Sequence, residues 1–287
     1  MPDLRYMADL RNDYVFLVGW LARTGQRVET RGLATRELTG VTLVFPGRTA
    51  EDGRPMLPID VGRRTNTKLA ALEALQLVAG ESRSDLLKLA APQFDDVLVK
   101  PDDPDYGAYG PRLVRQLSQA YTLLKRDPST RRAVVTIWEP RDLVHDGDRP
   151  CTLTFQFLIR NDVLELHVNM RSQDVWLGLT YDAFMFTQIQ ETLATRLGVG
   201  VGEYVHHVGS LHIYERDVTR ALEDLQTSAK LPPQLPHGVL APPDTTSTMV
   251  ARRFLNNAAS RAEKKLNPWY TRQIERLYGD ALKAASS

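Results

Sequence analysis

Thr152-Leu153-Thr154-Phe155-Gln156-Phe157-Leu158-Ile159 is followed by Arg160-Asn161-Asp162 and then by Val163-Leu164-Glu165-Leu166-His167-Val168-Asn169-Met170. The two runs are rich in apolar and β-branched residues and flank a short polar break. The pattern predicts an antiparallel hairpin. Downstream, residues 181–197 form a long and mostly apolar run. It fits a helix buried at the centre of a helix-on-sheet layer. Residues 205–214 read as a further strand. Upstream, Ala133-Val134-Val135-Thr136-Ile137-Trp138 is a β-branched run, and residues 112–125 read as a helix stopped by Asp127-Pro128. Residues 101–110 read as loop. Leu69, Leu72, Leu75 and Val78 recur at helical spacing over residues 67–79, with Asn66 or Thr65 as cap and Gly80 as stop. Residues 40–46 read as a strand closed by Pro46-Gly47, and residues 9–24 as a short helix. Helices and strands in this order describe an α+β chain.

A Pro-rich segment over residues 232–243 breaks the pattern, and residues 246–285 look helical with many exposed charges. The tail is thin as an independent unit. Residues 1–287 therefore read as one domain with a helical C-terminal extension from about residue 244. There is no internal repeat and no low-complexity tract.

Of the 287 residues, 43% are hydrophobic and 25% charged, enough for a sizeable core, and the net charge is +1. That balance supplies no global field for nucleic acid or an anionic membrane. The apolar run near Tyr14 to Leu21 is too short to span a bilayer. The start, Met1-Pro2-Asp3-Leu4-Arg5, lacks the basic-then-apolar pattern of a signal peptide. There is one cysteine, Cys151. It excludes an intramolecular disulfide and a multi-thiolate metal site, and no metal is expected. Such poverty in cysteine suits a reducing compartment, so the expected location is the cytoplasm. The thiol is either an inert buried group or a nucleophile.

Four features surround that choice. They are the arginine pair Arg131-Arg132, the Pro150-Cys151 step, the run Arg171-Ser172-Gln173-Asp174-Val175-Trp176-Leu177-Gly178-Leu179-Thr180-Tyr181-Asp182, and Gly209-Ser210-Leu211-His212-Ile213-Tyr214. Each has a plainer reading: a solvated arginine face, a structural thiol, an internal salt bridge with a turn, and satisfied core His and Tyr. Singly, none decides.

In order and spacing, the four together resemble thymidylate synthase and the related pyrimidine nucleotide hydroxymethylases. The resemblance is specific from about Arg131 to Tyr214. It is weaker upstream at Arg31, Glu73 and Tyr109, and it fades after about residue 220. It implies a mixed β-sheet around a buried central helix, and a homodimer. It implies that Cys151 attacks C6 of a pyrimidine nucleotide, with Glu73 and Tyr109 beside it. Arg31, Arg171 and Ser172 would hold the phosphate, Arg171 would help lower the thiol pKa, and Arg131 and Arg132 would reach across from the partner subunit. His212 and Tyr214 would hold the sugar. Asp174 would lie near base and folate, and Leu177, Gly178 and Tyr181 would line the folate site. The one-carbon unit would come from 5,10-methylenetetrahydrofolate, because protein side chains do not carry it.

The chemistry implied is coherent. Arginines favour a thiolate and form forked hydrogen bonds to phosphate. Addition at C6 makes C5 nucleophilic and divides one hard substitution into easier steps.

This chain departs from the synthase pattern at Asp182, where the synthases carry an asparagine that reads N3 and O4 of uracil. An amide matches a donor and an acceptor together, whereas an ionised carboxylate only accepts. Cytosine offers an N4 amino donor, and one proton must be shared between its N3 and Asp182. The same exchange marks the cytidylate hydroxymethylases of the family. The plainer reading makes Asp182 a helix cap. Thr152 stands where a histidine is common and Thr180 where a proline is; both are expected to alter the wall near base and folate. Ala133 stands where a bulkier residue is usual, and a small residue in a packed strand explains it at least as well as sugar selection. The end, Asp280-Ala281-Leu282-Lys283-Ala284-Ala285-Ser286-Ser287, lacks the apolar tail that closes the synthase site.

The expectation is therefore 5-hydroxymethylation of a cytidine 5′-monophosphate, CMP ahead of dCMP. The Arg- and Ala-rich composition leans towards nucleoside-antibiotic rather than phage-DNA precursors. The alternatives are a thymidylate synthase acting on dUMP, and a non-catalytic nucleotide- or RNA-binding protein on the same scaffold.

Overall fold

The alternating stretch folds as strand β5 (Thr152–Arg160) and strand β6 (Val163–Asp174), paired antiparallel. Asn161 and Asp162 both take positive φ, 49° and 59°. That is the two-residue turn whose twist matches a hairpin, built from residues that tolerate the left-handed region. The computed structural model describes residues 3–7, 10–47, 65–82, 87–88, 91 and 106–228.

The same device recurs earlier. Strands β2 (Gln26–Thr30) and β3 (Leu33–Phe45) pair antiparallel across Arg31 (φ 53°) and Gly32 (φ 76°). The expected strand over 40–46 is thus the second half of a longer one. Strand β1 (Asp3–Tyr6), unforeseen in the sequence, runs parallel to the far half of β3. The described sheet has seven strands in the order β1-β3-β7-β6-β5-β4, with β2 joined to β3. Here β4 is Val134–Thr136 and β7 is Gly200–Tyr214. Parallel pairing at β1–β3 and β6–β7 makes the sheet mixed, as the resemblance implied.

Between β6 and β7 runs the central helix. The helices in chain order are α1 (Leu10–Thr24), α2 (Thr67–Ala79), α3 (Gly110–Arg126), α4 (Leu179–Leu197) and α5 (Glu215–Ser228). Helix α4 is buried on almost every side from Leu179 to Ala194, so apolar residues all round are its natural content. It packs against α2, α3, β6 and β7. Its polar Gln190 is satisfied by donating to the carbonyls of Leu164, Gly202 and Glu203 at 2.8–3.1 Å. On β6, Leu164, Leu166, Val168 and Met170 are buried against the helical layer, while the residues between them are half-buried.

Helix α2 is capped as expected: Asn66 Oδ1 accepts from Leu69 N at 3.1 Å, and Gly80 ends it in the left-handed region. Helix α5 was not read from the sequence. Its Val218, Ala221, Leu222 and Leu225 follow helical spacing and pack on the core. The Pro-rich segment and the expected helix over 246–285 lie outside the described residues.

Candidate active site

Cys151 immediately precedes β5, and its carbonyl accepts from Arg171 N at 2.9 Å. The register of β5 on β6 slips between Thr152 and Thr154. A bulge of this kind re-aims the adjoining side chain, and here it adjoins the thiol. The Arg171 guanidinium donates from Nε to Pro150 O (2.9 Å) and from Nη2 to Arg149 O (3.1 Å). It therefore clamps the loop that carries the cysteine, with Trp138 5.7 Å beneath it.

Burial pushes the Cys151 thiol up to about 11. Arg171 and Arg31 pull the other way, and Asp182 and Asp148 add to the rise. The expected lowering by Arg171 is present, but desolvation outweighs it. Asp148, three residues before the cysteine, is a contributor that sequence reasoning missed. Its own carboxyl is pushed up by burial and pulled down by Arg171 and Arg31.

Three further acids lie close enough to shift the titration of one another or of the thiol. Burial, then the Asp182 charge, raises the Glu73 carboxyl to about 8, and its Oε2 is buried without a hydrogen-bond partner among the described residues. Burial raises Asp182 to about 6, opposed by a hydrogen bond from Gln173 Nε2 to Asp182 Oδ2 at 2.9 Å. Burial raises the Tyr109 hydroxyl well above its ordinary value, with the Asp182 and Cys151 charges adding to it and hydrogen bonding to Thr152 opposing. Asp182 is not a helix cap. Gly178 occupies the cap position of α4, and Asp182 lies in the first turn, its backbone N–H bonded to Gly178 O.

The two threonines expected in the wall turn inward. Thr152 is fully buried, donates to Met170 Sδ at 2.9 Å and bonds Tyr109, so it acts on the candidate site through that tyrosine. Thr180 is buried, with Oγ1 unpaired among the described residues. Ala133 is buried and its carbonyl accepts from Phe157 N, which is the packed-strand reading.

A second group lies on neighbouring strands. The register sets Asp174 beside His212 and His212 beside Glu37; one step along, Ser172 stands beside Ser210. Ser172 Oγ and His212 Nδ1 are 3.4 Å apart, and the His212 and Tyr214 rings meet edge to face at 5.5 Å. Asp174 Oδ1 accepts from Trp176 N and Leu177 N, both at 2.7 Å, and so shapes the turn into α4. Its Oδ2 is buried without a partner among the described residues. Tyr181 Oη accepts from Asn66 N at 3.1 Å and pins α4 to α2. Leu177 is half-buried against the core. Arg31, at the β2–β3 turn, is exposed yet acts on Cys151 and Asp148. Arg131 and Arg132 are exposed and are not among the groups that shift the Cys151 thiol.

The family model for thymidylate synthase matches residues 12–246. The chain belongs to the thymidylate synthase family. Every site residue named above lies inside the match, which also runs past residue 220, beyond the point where the resemblance fades. Among similar proteins, the thymidylate synthase of Listeria monocytogenes serotype 4b (strain CLIP80459) is 30% identical over 120 residues, 42% of this chain and 38% of that protein. That of Listeria innocua serovar 6a is 29% identical over 122 residues, 42% of this chain and 39% of that protein. The chain thus matches under two-fifths of the length of these curated relatives. Within this thymidylate synthase fold, no group of three or more His, Cys, Asp or Glu among the described residues could hold a metal ion. No described helix is long and apolar enough to cross a membrane.

Proposed function

We propose that this protein transfers a one-carbon unit to C5 of a pyrimidine nucleotide, and that the nucleotide is a cytidine 5′-monophosphate, which it hydroxymethylates. The observation that carries the cytosine reading is Asp182. It is a buried carboxyl held at about 6, in a position where the resemblance gives the synthases an asparagine. Near neutral pH such a group both accepts and donates a proton.

Cytosine makes that useful. Its C5=C6 bond is conjugated with C4=N3, so sulfur addition at C6 delivers the electron pair to N3. The Cys151 thiol, held near 11, needs a destination for its proton. Asp182 ionised above about 6 is that destination, and the proton then passes to N3 as the S–C6 bond forms. Glu73, protonated below about 8, supplies the opposite service, giving a proton and ordering water. Arg31, Arg171 and Ser172 take the phosphate, and His212 and Tyr214 the sugar. The one-carbon unit is that of 5,10-methylenetetrahydrofolate. Asp174 Oδ2, a buried acceptor with no donor among the described residues, fits the N–H rim of a pterin beside Leu177, Gly178 and Tyr181.

The relatives named thymidylate synthase favour a second reading, in which dUMP is the substrate. Replacing Asp182 by Asn tests the first against the second. The cytosine reading expects the kcat/KM ratio for CMP over dUMP to fall by ten- to a hundredfold, about the cost of one unpaired buried polar group. An unchanged ratio sinks it.

A further inference from the structure

Asp182 does not stand alone behind the base position; a line of neutral side chains runs into it from the core. Tyr204 Oη lies within hydrogen-bond reach of His206 Nδ1. His206 Nε2 is 3.0 Å from Gln173 Oε1, and Gln173 Nε2 is 2.9 Å from Asp182 Oδ2. Gln173 Nε2 also faces the Asp174 carbonyl at 3.3 Å. His206 is fully buried, and burial with neighbouring His207 lowers its pKa to about 3, so the ring is neutral and carries one proton.

Donor and acceptor roles can be assigned in only one way. The Gln173 nitrogen must face the Asp174 carbonyl, which only accepts, because the reverse placement sets oxygen against oxygen there, and again at Asp182 Oδ2 whenever that carboxyl is ionised. Its Oε1 then accepts, so His206 carries its proton on Nε2. Nδ1 therefore accepts, and the Tyr204 hydroxyl donates to it. The line starts at a tyrosine held by stacking on Phe45, with ring centroids 5.1 Å apart. Every donor in it points towards Asp182.

The structure also makes room for the last link. A Cβ on Gly178 would fall 2.6 Å from Gln173 Nε2 and 3.4 Å from Asp182 Oδ2. Gly178 has φ −109°, which any residue adopts, so the lack of a side chain there serves space and not backbone freedom.

We propose that Tyr204, His206 and Gln173 form a one-way hydrogen-bond chain that reserves Asp182 Oδ2 as an acceptor, confines the Asp182 proton to Oδ1, and so sets which pyrimidine edge the site takes. A neutral carboxyl that could hold its proton on either oxygen would be ambiguous. With the proton facing N3 it matches cytosine; with the proton facing O4, its other oxygen accepts the uracil N3–H. Fixing the proton on one oxygen removes one of the two matches. Gln173 and His206 are on this account positioning residues that act through Asp182. The choice of cytosine as the favoured edge rests on the function proposed above.

The test uses the full-length protein and the Gln173→Met variant, with Tyr204→Phe as a second variant that removes only the first donor. Two readouts are taken. One is the titration midpoint of the Asp182 carboxyl, followed by carbon-13 NMR in nucleotide-free protein. The groups facing that carboxyl are Glu73 from α2, Tyr109 at the head of α3, Cys151 from the loop before β5, and Tyr204 from β7. The other is kcat/KM for CMP and for dUMP. In Gln173→Met the midpoint should rise above the wild-type value of about 6, since the Gln173 bond is what opposes burial. The preference between bases should shrink on the order of tenfold, through a gain on the disfavoured base. Tyr204→Phe should move both readouts the same way by less. Parallel losses on both bases with an unmoved preference would overturn the proposal, whatever the midpoint does. A wild-type enzyme that prefers dUMP would defeat the cytosine reading, while the chain would still be judged by whether the variants erode that preference.

Discussion

At the scale of single residues, burial governs the chemistry of the candidate site more than charge pairing does. Cys151 has Arg171 and Arg31 nearby and still rises to about 11, because the thiolate would lose more in hydration than two arginines return. Glu73 shows the same imbalance, and it has a consequence for stability. The folded protein holds the Glu73 proton more tightly than the unfolded chain does. That contribution is fully present below about pH 4.5 and is lost as pH rises through about 8. Its size is on the order of 5 kcal/mol. Glu73→Gln should flatten the fall in urea midpoint between pH 5 and pH 8; an equally steep fall in the variant would show that Glu73 is not held neutral. Asp182 contributes in the same direction, from 3.8 to about 6, and stays in the variant. Cys151, Glu73, Tyr109 and Asp182 were legible in the sequence through family spacing. Asp148, Gln173 and His206 were not. Gln173 and His206 act as neutral hydrogen-bond partners that sit on different strands, out of register with each other, and meet only through their side chains in the folded protein.

At the scale of elements, local signals that a turn or cap depends on were readable, and those that tertiary packing decides were not. Asn161-Asp162 announced its hairpin, and Asn66 and Gly80 bracketed α2 correctly. The β2–β3 hairpin is not legible in the sequence because its paired segments are mostly exposed or half-buried and carry no apolar alternation, although Arg31-Gly32 forms its turn. Strand β1 is too short to show a period. Two glycines that end helices separate backbone cost from packing cost. Gly198 has φ +72° and open space around it, whereas a Cβ on Gly80, at φ +67°, would lie 2.6 Å from Val114 Cγ1. Gly198→Ala should therefore cost only the left-handed penalty, roughly 1–2 kcal/mol. Gly80→Ala should add an overpacking term of about 1–3 kcal/mol. Thermal denaturation of the two variants side by side checks this, and equal losses would contradict the packing argument.

At the scale of the whole molecule, the fold brings the thiol together with Glu73, Tyr109 and Asp182, close enough to shift one another's titration, and sets Ser172, Asp174 and His212 side by side on β6 and β7. Helix α4 supplies Asp182 from its first turn, and β6 supplies Gln173, which hydrogen-bonds it. Arg131 and Arg132 lie exposed and are not among the groups that shift the Cys151 thiol, and we propose that they serve the phosphate site of a second copy. Homodimers with shared sites predict that two inactive proteins rescue one another. Cys151→Ala mixed with the Arg131→Ala/Arg132→Ala double variant should regain about a quarter of wild-type turnover, since random pairing leaves one site in four complete. No recovery would place those arginines on their own subunit's surface only. The most direct trial of the central claim is the fate of the transferred carbon. Purified protein is given isotopically labelled 5,10-methylenetetrahydrofolate with CMP, dCMP and dUMP in turn, and both nucleotide and folate products are identified. The account predicts a labelled 5-hydroxymethylcytosine nucleotide together with tetrahydrofolate. A labelled 5-methyluracil nucleotide together with dihydrofolate would contradict it.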